Sequence, residues 1–178
     1  MTTLSIRPAS PADIPAIAEI YAHAVVHGTA SWELEPPGEA EMLRRMEAIL
    51  SGGYPYLAAE RDGALLGYAY AGAYRPRAAY RATVEDSIYL APQAQGAGVG
   101  RALLDALMLE CAARGFRQMI AVIGDGTGAS VGSRRLHERA GFRIIGVAEK
   151  VGWKHGRWLD QLLMQKELGE GDRAPSTL

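Results

Sequence analysis

One stretch decides the fold of this chain: Val84-Glu85-Asp86-Ser87-Ile88-Tyr89-Leu90-Ala91-Pro92-Gln93-Ala94-Gln95-Gly96-Ala97-Gly98-Val99-Gly100-Arg101. Residues 84–90 carry the β-branched and aromatic side chains of a strand. Pro92 closes it, because proline brings no N–H to a ladder. Gly96, Gly98 and Gly100 then make a glycine-rich turn, and apolar residues at helical spacing follow. A strand that feeds such a turn into a helix N-terminus builds an anion site. The glycines let the backbone approach a ligand, and the first-turn N–H groups, which have no acceptor inside the helix, point at it.

Spacing tests which anion the loop suits. A dinucleotide fingerprint needs G-x-G-x-x-G, and here the third glycine arrives one residue early. A Walker A loop needs Gly-Lys-Ser/Thr, and here Gly100 is followed by Arg101 and Ala102. The run Gln95-Gly96-Ala97-Gly98-Val99-Gly100 does fit Q/R-x-x-G-x-G/A, which resembles the acetyl-CoA pyrophosphate loop of the GCN5-related N-acetyltransferases, the GNAT family. A glycine-rich strand–helix turn without a ligand is the competing reading of these six residues.

Composition sets the outer bounds. The chain has 178 residues, long enough for one domain with a real core; we expect that domain over residues 1–168 and a polar tail over 169–178. Hydrophobic content is 48% and mean hydropathy −0.06. The net charge of −1 gives no bulk electrostatic case for nucleic acid or an anionic membrane. A single cysteine, Cys111, allows no internal disulfide. No run of some 18 apolar residues suggests a span, and the first residues carry no apolar signal core. A cytoplasmic protein is expected.

Working outward, residues 3–7 read as a strand, and Ser10 caps a helix with Pro11 and Asp13 in its first turn. Ile14, Ile17, Ile20, Tyr21, Ala24 and Val25 form its apolar face. His23 and His27 have a spacing that suits a metal, but no further ligand accompanies them, so no metal is expected. A second helix is expected at about 38–50. The loop before it contains Trp32 and Glu33, either acceptor-pocket residues or ordinary loop packing. Residues 54–61 and 64–74 read as strands joined at Asp62-Gly63, with Tyr68, Tyr70 and Tyr74 on one face. Arg75-Pro76-Arg77-Ala78-Ala79-Tyr80-Arg81 is a basic loop beside the central strand. Guanidinium forks there suit a substrate carboxylate, and a solvated charged loop is the alternative. A helix at 98–113 buries Cys111 on its apolar stripe, which favours packing over reactivity. A strand at 117–123, a helix at 130–140, and a hairpin of 142–150 and 158–166 across a loop at 152–156 complete the chain. The order implies an α/β (α+β) domain around one mixed, mostly antiparallel sheet flanked by helices.

Five further blocks sharpen the family resemblance: Tyr68-Ala69-Tyr70-Ala71-Gly72, Thr83-Val84-Glu85, Ala121-Val122-Ile123-Gly124, Leu136-His137-Glu138 through Gly141-Phe142, and Lys154-His155-Gly156-Arg157-Trp158. In this order they look like the phosphinothricin and methionine-sulfoximine N-acetyltransferases. That resemblance implies the GNAT fold, acetyl-CoA as co-substrate and acetylation of the α-amine of a small amino-acid-like acceptor. It implies an acetyl-CoA site of Ile88, Tyr89 and Leu90 with Gln95, Gly96, Ala97, Gly98, Val99, Gly100 and Arg101. It implies an acceptor site of Arg75, Pro76 and Arg77 with Glu85, Asp86 and Ser87, and a homodimer in which the segment 152–158 reaches toward the partner.

An α-ammonium must lose a proton before it attacks a thioester. Glu85 is the candidate base; Asp86, one residue on, faces the opposite side of the strand. His137 stands where many relatives place a tyrosine, so an acid or base role competes with a packing role. The family's asparagine before this helix has no counterpart, because the chain contains no asparagine. Thr127 or Ser130 takes its place under two competing alignments. Rival readings keep the fold with another amine, a protein N-terminus or polyamine, or make the chain a non-catalytic acyl-CoA sensor.

Overall fold

A computed structural model describes residues 3–126, 128–176 and 178. Strand β1 (Ser5–Pro8) leads through a 3₁₀ turn into helix α1 (Ile14–His27), and α2 (Glu39–Ser51) follows. Next come β2 (Tyr56–Arg61), β3 (Ala64–Ala73), β4 (Thr83–Leu90), α3 (Val99–Ala113), β5 (Gln118–Gly124), α4 (Val131–Arg139), β6 (Arg143–Lys154) and β7 (Arg157–Glu167). All seven strands form one sheet in the order β1-β2-β3-β4-β5-β7-β6. Among the described residues, only β4 and β5 run parallel.

Local chemistry explains these starts and stops. The Ser10 N–H donates to the Asp13 carboxylate at 2.7 Å, and Arg7 grips the same carboxylate at 2.7 and 2.8 Å. The cap therefore also ties the first helix to β1. Helix α1 buries Ile14, Ile17, Ile20, Tyr21 and Val25, the face that its spacing predicts. Helix α3 buries Val99, Leu103, Leu104, Leu107 and Cys111. Each large aliphatic side chain so removed from water stabilises the fold by roughly 1.5–3 kcal/mol. Burial pushes the Cys111 thiol up to about 12, so it packs as a small apolar group.

Strand β4 shows how the layers lie. The Tyr89 ring meets Tyr21 of α1 edge-on at 5.0 Å, whereas Asp86 reaches His137 of α4 and Leu90 packs where Gly100 opens α3. Odd-numbered residues of β4 thus face α1, and even-numbered residues face α3 and α4, as strand alternation requires.

Two expectations differ from the structure. The loop expected at 152–156 is shorter, because β6 runs on to Lys154 and pairs Trp153 with Trp158. An irregularity between Ala148 and Gly152 absorbs two extra residues. Lys150 takes φ 53° there and its N–H donates to Asp160 at 2.9 Å. Tyr74 leaves the face shared by Tyr68 and Tyr70: it lies beyond β3, and its ring meets Tyr80. In the segment after β7, Glu170 pairs with Arg117 at 3.2 Å.

Candidate active site

The parallel pair β4–β5 is short. Residues 83–86 pair with 118–121, after which β4 continues along β3 to Leu90 and β5 continues along β7 to Gly124. The strands therefore part just beyond Asp86 and Ala121. The Ala91 N–H donates to Leu66 on the β3 side. Ladder alternation turns the N–H groups of Tyr89 and Ser87 the same way, and those of Ile88 and Leu90 toward the opening.

A cleft of about 370 Å³ lies at this split. Glu85, Ser87 and Tyr89 of β4 line one side, Val122 and Gly124 of β5 with Gln161 of β7 another, and Tyr21 and the segment 30–33 close it. Glu85 is half-buried. Burial pushes its carboxyl above the usual range, the Asp86 charge acts in the same direction, and Arg75 opposes both. Glu33 also lines the cleft; its carboxylate accepts from the Tyr21 hydroxyl at 2.9 Å and from Arg45 at 2.6 Å.

The basic loop between β3 and β4 does not line the cleft, although the Arg75 charge acts on Glu85. Arg75, Pro76 and Arg77 are exposed, and the Arg75 guanidinium lies over the Tyr74 ring at 5.0 Å. Asp86 is also among the cleft-lining residues, but its buried carboxylate turns to the opposite face, with Oδ2 3.0 Å from His137 Nε2. His137 is itself buried, with Nδ1 2.8 Å from the Ser133 carbonyl. The histidine thus bridges α4 and β4 on the face opposite Glu85.

Beyond β4, residues 95–98 are exposed while Val99 and Gly100 are buried. Gly98 caps α3 at φ 80°, and Gly96 stands at φ 73°, both in the left-handed region where a side chain is strained. A Cβ added at either would meet nothing within 4 Å, so both positions border open space. The first helical bond is Ala102 N–H to the Gly98 carbonyl at 3.1 Å, which leaves the N–H groups of Val99, Gly100 and Arg101 without an acceptor in the helix. This cradle, with the free edge of β4, fits a pyrophosphate and an extended amide-bearing arm. Arg101 is engaged elsewhere, with Asp105 at 2.6 Å and the Arg139 carbonyl at 2.9 Å. The Ser130 hydroxyl lies 2.9 Å from that of Thr29; Thr127 is outside the described residues. His23 and His27 lie ring to ring at 4.6 Å. Among the described residues no cluster of three or more potential metal ligands occurs.

Residues 6–163 match the family model described as an acetyltransferase (GNAT) domain. The chain belongs to the GNAT acetyltransferases. A GNAT enzyme uses acetyl-CoA as its co-substrate, the group whose shape the cradle fits. This GNAT chain is 55% identical to a phosphinothricin N-acetyltransferase of Alcaligenes faecalis, over 90% of this chain and 80% of the relative. It is 42% identical to an L-methionine sulfoximine/L-methionine sulfone acetyltransferase of Pseudomonas paraeruginosa, over 96% and 98%. A solved phosphinothricin acetyltransferase from Sinorhizobium meliloti in complex with acetyl-CoA superposes with a TM-score of 0.94 at 51% identity, covering 98% of this chain and 94% of that one.

The sequence left several residues in and around the cleft unseen. Tyr21 was legible only as part of an apolar helix face, yet its hydroxyl also lies 2.9 Å from that of Ser31. Gln161 sits in a strand whose alternation marks it as one of many polar positions. Lys154 belongs to a recognisable block, but nothing local says that its ammonium is buried.

Proposed function

We propose that this enzyme transfers the acetyl group of acetyl-CoA to the α-amine of a small amino acid or analogue of the methionine sulfoximine, methionine sulfone or phosphinothricin type. The observation that carries the reading is Glu85, a half-buried carboxylate with a raised pKa in an amino-acid-sized cleft where β4 and β5 part. The relatives' named substrates support the acceptor class.

Acetyl-CoA supplies a thioester whose carbonyl carbon accepts the amine; the C–S bond then breaks, and CoA leaves as a thiolate that takes up a proton. The chain's own groups then have separate tasks. The loop of Gln95, Gly96, Ala97, Gly98, Val99, Gly100 and Arg101 holds the pyrophosphate through backbone N–H groups and the helix dipole. The N–H groups of Ile88 and Leu90, with Tyr89 between them, hold the pantetheine arm and face the developing negative charge on the carbonyl oxygen. Glu85 takes the proton from the α-ammonium, directly or through one water; its raised pKa brings its basicity closer to that of the amine. Arg75 and Arg77, flanking Pro76, attract the acceptor carboxylate, and Ser87 lines the wall. Asp86 and His137 support β4 from behind, and either Thr127 or Ser130 stands in for the family's cofactor-contacting asparagine.

The reading includes a homodimer. Val151, Trp153 and Trp158 on the β6–β7 hairpin are all more than half exposed, an apolar patch suited to a second copy. It also includes a cytoplasmic setting, in keeping with a buried free thiol. No helix among the described residues is long and apolar enough to cross a membrane. Resistance to phosphinothricin-like herbicides would follow directly from the activity.

Thiol release from acetyl-CoA tests the reading against methionine sulfoximine, methionine sulfone, phosphinothricin, the common amino acids, spermidine and a short peptide. Saturable turnover confined to amino-acid acceptors is expected. Turnover only on the peptide or spermidine would overturn it.

A further inference from the structure

Trp32 walls the cleft, and its indole is seated between two glycines from distant strands. A methyl at Gly152 of β6 would come within 2.5 Å of Cζ3, 2.6 Å of Cε3 and 2.8 Å of Cη2. At Gly124, the last residue of β5, a Cβ would collide with Nε1 and with the Thr29 carbonyl. The indole Nε1 is buried and has no hydrogen-bond partner. Shape, rather than a polar bond, therefore fixes the ring.

The segment carrying Trp32 is held from outside the cleft. Lys154 is 5% exposed, and its ammonium donates to the Ser31 carbonyl at 2.6 Å. His155 Nε2 lies 3.0 Å from the Gly28 carbonyl. Burial pulls the Lys154 pKa down, and the Glu33 charge opposes that. A buried ammonium is costly where a methionine would fill the same space. What lysine adds at this position is a donor to the residue preceding Trp32.

We propose that Gly152 and Lys154, which lie outside the cleft, set the length of acceptor side chain that the cleft admits by fixing how deeply the Trp32 indole is seated. The assignment rests on the amino-acid acceptor reading above. Gly152 leaves the ring its slot, and Lys154 holds the backbone beside it. With both in place the cleft takes a side chain as long as that of methionine sulfone. A ring pushed out of the slot moves into the cleft, because the opposite walls of the slot are backbone. The loss then falls on long acceptors and spares short ones. Lys154 acts here as a positioning residue.

The test is kcat/KM along a series of α-amino acids of increasing side-chain length, from 2-aminobutyrate to methionine sulfone, with acetyl-CoA binding followed by calorimetry. For Gly152→Ala we expect methionine sulfone to lose about tenfold or more, the scale of methylene-sized discrimination. The shortest acceptor should lose less than about twofold, at unchanged acetyl-CoA affinity. Adding Trp32→Phe should restore the long acceptor by vacating the space. Lys154→Met should raise the acceptor KM while kcat holds, and should weaken length discrimination. Equal losses along the series in Gly152→Ala, or no recovery in the double variant, would overturn the proposal while the amino-acid reading stands. A wild-type enzyme that turns over no amino acid removes both.

Discussion

His137 Nε2 lies 3.0 Å from the Asp86 carboxylate while Nδ1 lies 2.8 Å from the Ser133 carbonyl, so both ring nitrogens face acceptors. A neutral imidazole has one N–H and leaves one of these contacts without a proton. The pair is satisfied when it holds one proton more than a neutral histidine beside an ionised aspartate. Burial alone would lower the His137 pKa, but the hydrogen bond and charge of Asp86, with the Ser133 carbonyl, raise it above the ordinary 6.5.

Stability should therefore depend on pH with a definite sign. A folded-state pKa above the unfolded one gives stabilisation that is complete below 6.5 and is lost as pH rises through the folded value. Thermal melts should show Tm falling as pH is raised from about 6 to about 8, and His137→Gln should flatten that slope. The same variant should cost about 3–5 kcal/mol by leaving a buried carboxylate unpaired. Asp86→Asn in the same chain should recover part of it, because the two residues are coupled. A flat wild-type profile would mean that His137 binds no more protons in the folded state than in the unfolded state across this range.

Glu85 should govern turnover and leave cofactor binding alone. Its carboxyl is pushed above the usual range by burial and by Asp86, so turnover should rise with pH through a value above 4.5 as the base form appears. Glu85→Gln keeps the size and removes the base. It should lower kcat by about 10²–10⁴-fold and abolish that acidic limb, with acetyl-CoA affinity unchanged. Wild-type kcat in the Gln variant would remove Glu85 as the base.

Local signals made most of this fold readable. The Asp62-Gly63 turn, the Ser10 cap and the glycine run at 96–100 each act over a few residues, and each element that they bound appears where the periodicity places it. The end of β6 was not readable, because an irregularity at Lys150 depends on pairing with Asp160 across the hairpin. The same limit applies at the site. Alternation along one strand separates Glu85 from Asp86. In contrast, the contact of Lys154 with Ser31 spans 123 residues, and the seat of Trp32 needs the backbones of β5 and β6 in place.

Gly98 offers a separate readout of the cradle. It holds φ 80° at the N-cap of α3, and a Cβ there would strike nothing, so the cost of Gly98→Ala is conformational. We expect a loss of roughly 1–2 kcal/mol in urea unfolding, the penalty of a left-handed alanine. The acetyl-CoA KM should rise severalfold and the acceptor KM should hold. A rise in the acceptor KM instead would dissociate this loop from the pyrophosphate.

The hairpin tryptophans make the oligomeric state testable. Trp153 and Trp158 are cross-strand partners with ring centroids 5.3 Å apart, yet they are 57% and 58% exposed, and Val151 beside them is 53% exposed. An exposed apolar patch of this kind marks a surface that a second copy can cover. Sedimentation at micromolar concentration should give twice the 19.1 kDa chain mass. Trp158→Glu should shift the protein toward monomer, because the charge would be buried unpaired in the interface. The same hairpin carries Lys154 and His155, which hold the segment bearing Trp32. Dissociation should therefore raise the acceptor KM more than that for acetyl-CoA. A wild-type monomer with full activity would leave the tryptophans without this partner.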